Sequence, residues 1–167
     1  MRQIDSRMTP INDDYPTCER TLATLRIYGD DLDPQSITRR LGLQPSDSQR
    51  RGEIKAGIRG RQRTVKVGGW FLSSEDHVQS KDLRRHLDWL LDRLLPAKEE
   101  ILELQEEDAI KMGVNCIWWS ESGQGGPTLW PEQMQCLAGL NLECGFDVAF
   151  FGEDEEDPGI EGFPVIA

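Results

Sequence analysis

Three acidic residues stand in polar loops that directly follow tryptophan-bearing segments. Glu75 and Asp76 come after the segment that contains Trp70, and Glu121 comes after the pair Trp118–Trp119. Two carboxylates at the same end of a sheet can serve as general acid and general base. Solvated acids in turns are much commoner than catalytic pairs. We therefore keep these three acids as catalytic candidates without predicting an enzyme from them.

The other residue types that perform catalysis form no recognisable pattern. His77 lies in an acidic turn, His86 lies on a predicted helix, and the chain has no nucleophile elbow of the G-x-S-x-G type. The segment SGQGGPT (122–128) is rich in glycine, but it lacks the Lys-Ser or Lys-Thr of a P-loop. CxxC spacing is absent among Cys18, Cys116, Cys136 and Cys144, so we predict no metal site. We also expect no cofactor.

A basic segment interrupts an otherwise acidic chain. Seven basic residues and one acidic residue fall between Arg50 and Lys66, a local charge of +6, whereas the whole chain carries −11 and the remainder therefore −17. An acidic remainder argues against general nucleic-acid binding. Arginine suits bidentate recognition of an anion or an acidic partner, and a solubilising loop neutralised by the protein's own acids is the alternative. The candidate anion-binding residues are Arg50, Arg51, Arg59, Arg61 and Arg63.

Hydrophobic periodicity and capping residues predict the elements that position these groups. Alternation predicts a strand in 21–29, and an Asp-Pro start with a glycine stop predicts a helix over 34–41. Ser80 is a good cap residue, and apolar residues recur after it at intervals of four and three. This pattern predicts a long helix that begins near Ser80, lies on a sheet and is interrupted at Pro96. The remaining predicted elements are strands in 63–74, 110–121 and 142–152 and a short helix that begins at Pro131.

The order of these elements predicts an α+β fold. We expect a two-layer sandwich, in which a roughly four-stranded sheet carries one long helix and two short helices on one face, built from pseudo-repeated βαβ units. Residues 21–152 form the single predicted domain, after a flexible arm in 1–20 and before an acidic disordered tail in 153–167. The pair Gly68–Gly69 predicts a bulge or a close backbone contact in its strand.

Tryptophans in the predicted strands indicate where a partner can bind. Trp118 and Trp119 are adjacent, so they must point to opposite faces of the sheet. One of them faces the helices, and the other lies on the open face as a large aromatic contact candidate. We therefore predict Trp70, Trp118 and Trp119 as binding residues and expect function on the open sheet face rather than in the loops.

Four stretches together resemble a known family. They are TLRIYGDDLDPQSITRRLGLQP, GGWFLSSE, LRRHLDWLLDRLLP and GGPTLWPEQMQCLAGLNLECGFDVAFF. Over residues 20–151 they resemble a bacterial family catalogued as domain of unknown function 4279. The resemblance implies a small, single-domain, cytoplasmic α+β protein and brings no established activity. The family tends to have a small hydroxyl residue before the proline of PEQ, whereas this chain has Trp130, which cannot cap a helix in the same way.

These observations favour a binding protein over an enzyme. No apolar run is long enough to cross a bilayer, and residues 1–20 lack the apolar block of a signal peptide, so we expect a cytoplasmic protein without membrane contacts. We expect a non-enzymatic protein-binding module, for example an immunity-type protein that neutralises a basic partner. One alternative is an anion-binding or small-ligand-binding protein or enzyme that combines the acidic loops with the arginines. A further alternative is a homodimer formed through the open sheet face.

Overall fold

A computed structural model describes residues 6–150 of the chain. Within this range the strands are β1 (Cys18–Gly29), β2 (Asp47–Gln49), β3 (Ile54–Ala56), β4 (Gln62–Thr64), β5 (Gly68–Ser73), β6 (Lys111–Ser120) and β7 (Cys144–Phe150). The helices are α1 (Pro34–Leu41), α2 (Leu83–Leu94), α3 (Lys98–Gln105) and α4 (Pro131–Gly139). The acidic tail predicted for residues 153–167 lies outside the described residues.

Five of the strands form one sheet in the order β2-β5-β1-β6-β7, and β3 and β4 form a separate antiparallel hairpin. All pairs in the large sheet are antiparallel except β6 and β7, which run parallel. The α+β prediction is confirmed. The two strand-helix-strand units are not equivalent, however, because β2 and the hairpin intervene between α1 and β5. The chain therefore enters β5 antiparallel to β1, whereas α4 connects two parallel neighbours.

The helices cover one face of the sheet and enclose the core. The inward residues of β1, Ala23, Leu25 and Ile27, are fully buried, as the alternation predicted. The leucines of α2 at four- and three-residue intervals are buried against them, so the long helix lies on the sheet rather than in a coiled coil. The opposite face of the sheet carries polar and half-buried side chains, including Thr24, Arg26 and Tyr28.

Capping residues account for the helix boundaries. In α1 the Asp33 carboxylate accepts from the Gln35 N–H at 3.1 Å, and Gly42 ends the helix in the left-handed region at φ 66°. The cap of α2 is Asp82 rather than the predicted Ser80, because the Ser80 hydroxyl accepts from the Asp82 N–H instead. The predicted interruption at the proline is a 3-10 turn over Leu95–Ala97, after which α3 begins.

The two adjacent glycines of β5 allow close approaches, as predicted for Gly68–Gly69. A Cβ at Gly68 would lie 2.8 Å from the carbonyl oxygen of Gly29. A Cβ at Gly69 would lie 2.4 Å from the ring of Phe71. The Phe71 ring therefore lies across the backbone of β5 on the open face of the sheet, a position that a larger residue at 69 would block.

The described part of the N-terminal arm is bound to α2 through a buried arginine. Arg84 forms a two-point ion pair with Asp82, with its Nε 2.9 Å from Oδ1 and its Nη2 2.6 Å from Oδ2. It also donates to the carbonyls of Thr9 (2.5 Å) and Pro10 (2.9 Å), and its guanidinium lies 4.7 Å from the centre of the Trp130 ring. The residues from Thr9 to Tyr15 are therefore attached to the domain, and β1 begins at Cys18, inside the segment 1–20 that was predicted as an arm.

Trp130 stands at the start of α4, where Gln133 rather than a capping hydroxyl bonds the backbone. The Gln133 side chain accepts from the Trp130 N–H at 2.7 Å and donates to Asp88 at 2.7 Å, which joins the start of α4 to α2. The Trp130 ring packs against Arg84 and, at 5.4 Å, against Arg7. Trp130 therefore contributes cation–π contacts with the arm and α2 at the start of α4, where its side chain caps no backbone group.

Candidate functional site

A cleft of about 370 Å³ lies on the open face of the sheet. Its floor comes from alternate residues of β1 and β5, because these side chains share one face of the pleat. One wall comes from β2 and from Arg63 in the middle of β4, and the loop after β5 closes the far end. The residues that line it are Thr24, Arg26, Tyr28, Ser46, Asp47, Gln49, Arg63, Phe71, Ser73, Glu75 and Asp76. We call this feature the open-face cleft.

Aromatic and charged groups meet in the open-face cleft. The rings of Tyr28 and Phe71 pack edge to face with their centres 5.3 Å apart. Arg26 lies between neighbouring strands, where burial lowers the pKa of its guanidinium and the charges of Tyr28 and Asp147 oppose that effect. Asp47 is already neutralised by Lys55, whose ammonium lies 3.2 Å from the carboxylate. The cleft therefore combines an aromatic floor with groups of both charges.

The structure brings two of the three acidic candidates into the cleft. Glu75 and Asp76 both line it, but Glu75 is paired with Arg20 of β1. Glu121 lies at the same end of the sheet, where its N–H donates to the carbonyl of Thr17 at 2.9 Å, and it does not line the cleft. The three acids thus lie at one end of the sheet, but they do not converge on one site.

The predicted arginines are divided between internal ion pairs and the hairpin. Arg50 lies 2.5 Å from the Asp33 carboxylate, and Arg51 lies 3.9 Å from Asp31. These contacts match the alternative in which the protein's own acids neutralise the segment. Arg59 lies in the exposed tip of the hairpin and Arg61 directly follows it, and only Arg63 of the five lines the open-face cleft.

The three predicted tryptophans have different environments. Trp70 is fully buried on the helix side, with its indole N–H donating to the Thr38 hydroxyl at 3.0 Å. Trp118 is 2% exposed and packs edge to face with Tyr15, so neither of these tryptophans offers surface to a partner. Trp119 is half-buried on the opposite face, with the Arg20 guanidinium 5.0 Å from its ring centre. The alternation of the Trp118–Trp119 pair is therefore as predicted, and Trp119 is the tryptophan that borders the open face.

The sequence pattern missed an apolar surface on β7. Phe146, Val148 and Phe150 are 44%, 59% and 53% exposed, although their register with Cys116, Trp118 and Ser120 places them on the helix side of the sheet. β7 is an edge strand, so no described strand pairs with it on the side away from β6. We call Phe146, Val148 and Phe150 the β7 edge surface. The alternating apolar residues of 142–152 predicted the strand, but they carried no sign that its position was at an edge.

The two edges of the five-stranded sheet differ in charge: basic residues lie beside β2, and acidic residues flank β7. Arg50, Arg51 and the basic hairpin lie beside β2, at the edge farthest from β7. β7 follows the exposed Glu143, contains Asp147, and precedes five consecutive acidic residues at 153–157 in the sequence. The β7 edge surface is therefore an apolar strip with acidic residues on both sides along the chain.

The buried histidine has a structural environment. The His86 Nε2–H donates to the Ser80 carbonyl at 2.8 Å, so Nδ1 accepts from the Ser74 hydroxyl at 2.8 Å. Ser74 is fully buried and also accepts from the Ala23 N–H at 3.0 Å, which leaves its oxygen no access to a substrate. His77 stacks on Trp89 with ring centres 4.6 Å apart. Among residues 6–150, no three His, Cys, Asp or Glu side chains converge in a way that could hold a metal ion.

The fold and these surfaces define a two-layer α+β domain with one open sheet face and one apolar sheet edge. Residues 17–151 match the family described as "Domain of unknown function (DUF4279)", and the chain belongs to that family. The match confirms the resemblance found in the sequence. Comparisons with curated proteins and with solved structures found no match. No helix in the described part of the chain is long and apolar enough to span a membrane.

Proposed function

We propose that this protein is a non-enzymatic module that binds a basic protein partner. The observation that carries the proposal is the β7 edge surface, where three large apolar side chains are exposed on a strand that no other strand of residues 6–150 pairs with on its outer side. Proteins ordinarily protect edge strands with charges, prolines or bulges, because an apolar edge invites association. Asp147 lies on the other face of β7, so the exposed strip of Phe146, Val148 and Phe150 itself carries no charge. An exposed apolar strip of this kind is typical of an interaction surface.

The charge distribution supports a basic partner. The chain outside 50–66 carries −17, and the acidic residues at 143 and 153–157 flank the β7 edge surface in sequence. Such a field accelerates the approach of a basic protein and disfavours acidic ones. An immunity-type protein that neutralises a basic toxin is one concrete version of this function. A cytoplasmic location remains a prediction from the sequence.

Affinity capture with two matched variants tests the proposal. Val148→Lys places a charge in the β7 edge surface, and Leu95→Lys changes an exposed leucine that lies on the helix layer, at 41% exposure. Wild type and Leu95→Lys should capture the same protein from host lysate, and purified partner should then bind both with equal affinity. Val148→Lys should reduce that affinity by at least tenfold. Equal binding by both variants, or no captured partner, contradicts the proposal.

Ligand binding in the open-face cleft is a second candidate function. The observation that favours it is the meeting of Arg63, Glu75 and Asp76 in one cleft above the ring of Phe71. A small zwitterion or a polar aromatic compound fits such a mixture of charges and rings. A thermal-shift screen of polar metabolites should then give a hit that is lost in Arg63→Gln and Asp76→Asn and kept in Arg59→Gln. A hit that survives the two cleft variants excludes the cleft as its site.

A further inference from the structure

One hydrogen bond between β6 and β7 shows which backbone groups of β7 point away from β6. The Val114 N–H donates to the Glu143 carbonyl at 2.9 Å, and Val114 is in register with Cys144. In a parallel pair, alternate residues direct both backbone groups to the same neighbour. The backbone groups of residues 143, 145, 147 and 149 therefore face β6. Those of Phe146 and Val148 face the outer edge, where no strand among the described residues meets them.

The same residues supply both parts of a strand-binding site. Phe146 and Val148 present an N–H and a carbonyl in the plane of the sheet, and their side chains are exposed on its helix side. Phe150 continues the apolar strip and its ring lies near the loop after β6, 3.6 Å from where a Cβ of Gly123 would be. An added strand would satisfy the outer backbone groups, and its alternate side chains would cover the apolar strip.

The charges near β7 indicate which kind of strand can be added at its outer edge. The run of five acids at 153–157 begins three residues after Phe150, so a cationic segment is favoured at that end of the added strand. A second copy is disfavoured, because a two-fold pairing of β7 strands would join two chains of charge −11. Each of these chains has acidic residues at both ends of that strand. The basic residues of this chain lie at the opposite edge and cannot offset this repulsion.

We propose that β7 binds its partner by strand addition. The inference rests on the proposed function and specifies its mode. The occupant is a basic polypeptide segment that pairs antiparallel with β7, the geometry that gives the better hydrogen bonds. It carries apolar residues at alternate positions over Phe146 and Val148. Its lysines or arginines stand at its N-terminal end, which an antiparallel strand places beside the C-terminal end of β7.

A synthetic peptide and two variants of Val148 test this mode. The peptide alternates valine with threonine over seven positions and begins with three lysines, and its affinity for the full chain is measured by fluorescence anisotropy. Val148→Pro removes the outward N–H, and a proline there is compatible with an edge strand. Val148→Thr keeps the N–H and nearly the same side-chain shape. We expect Val148→Pro to weaken binding about tenfold relative to Val148→Thr, the effect of one lost hydrogen bond.

Amide hydrogen exchange gives a second measurement that needs no variant. On peptide binding to the wild-type chain, the amides of Phe146 and Val148 should gain protection, because they acquire acceptors. The amides of Asp147 and Ala149 already donate toward β6 and should change little. A version of the peptide with its lysines at the C-terminal end should bind several-fold more weakly, because its charges then lie away from the acidic run.

Each other outcome overturns the proposal in a defined way. Failure of the peptide to bind, or equal binding by both Val148 variants with no alternation in exchange, excludes strand addition. The protein-binding function then still stands if Val148→Lys loses the captured partner. A wild-type dimer at micromolar concentration that Val148→Pro dissociates makes a second copy the occupant. Tighter peptide binding by a chain truncated after Asp157 makes the chain's own residues 158–167 the occupant.

Discussion

Replacement of Arg84 by methionine should remove a large part of the stability of this domain. The Arg84 and Asp82 side chains are 1% and 4% exposed and form a two-point ion pair. Removing one partner of a buried pair costs about 3–5 kcal/mol, because the other charge remains buried. In the variant, the Asp82 carboxylate still accepts hydrogen bonds from the backbone N–H groups of Asn12 and residue 84, at 2.9 and 3.1 Å. We therefore expect a loss at the lower end of this range, about 3 kcal/mol.

Urea unfolding monitored by tryptophan fluorescence measures this loss. With a slope of about 2 kcal/mol per molar urea, the midpoint should fall by about 1.5 M. The control is Arg85→Met, the next residue of α2, whose ion pair with Asp13 is half exposed. Its effect should stay below about 0.5 kcal/mol, as is usual for surface pairs. A loss below about 1 kcal/mol in Arg84→Met would refute the assignment of this pair as a major source of stability.

The cost of leaving the Asp82 charge buried without a partner can be measured separately. Adding Asp82→Asn to Arg84→Met removes the buried charge and keeps a capping side chain, so about 1 kcal/mol should return. Burial alone would raise the pKa of Asp82, but the hydrogen bonds from Arg84 and the Asn12 N–H outweigh it and hold the pKa below 3.8. The carboxylate therefore contributes stability above about pH 4 that is lost as the pH falls. The difference in the free energy of unfolding between wild type and Arg84→Met should therefore become smaller as the pH falls below about 4.

Two further predictions concern buried titratable groups. Burial lowers the pKa of His86 below 6.5, so the folded state binds fewer protons than the unfolded state, and stability should fall as the pH drops from 6.5. Urea midpoints between pH 7 and 5.5 should show this slope in wild type and not in His86→Gln, and equal slopes would contradict it. Burial also raises the pKa of Cys18 to about 11. Its thiol should therefore resist iodoacetamide at pH 8 in the native protein and react in urea, and rapid native labelling of Cys18 by mass spectrometry would count against its burial.

Local patterns in this sequence predicted most of the elements, because local forces determine them. The Asp-Pro start and glycine stop of α1 and the leucine spacing of α2 are properties of adjacent turns. The cap at Asp82 was misplaced to Ser80, because both residues are good caps and only the arm's contacts with Asp82 distinguish them. The arm itself is held by Arg84, whose partners are distant in sequence and invisible to periodicity.

Which side chains are exposed depends on the order of the strands in the sheet, and no local sequence pattern contains that order. Trp118 and Trp119 were correctly placed on opposite faces, because alternation alone requires it. Whether Phe146 and Val148 would be buried depended on whether another strand or a helix lay beside β7. The arginines of 50–63 likewise looked like one anion site. The structure distributes them among Asp31, Asp33 and the open-face cleft, because the hairpin separates Arg63 from Arg50.

The two edges of the sheet differ in a way that limits how far the molecule can assemble. β2 has three residues, and the Lys55 ammonium crosses to its Ser48 carbonyl at 2.9 Å and to the Asp47 carboxylate. A short edge with a lysine over it is a poor template for another strand. Of the two edges of the five-stranded sheet in residues 6–150, β2 is therefore the poorer template, so the strand addition proposed for β7 has no equivalent at β2. If β7 accepts a strand, we therefore expect growth of the five-stranded sheet by joining β7 of one copy to β2 of another to be disfavoured.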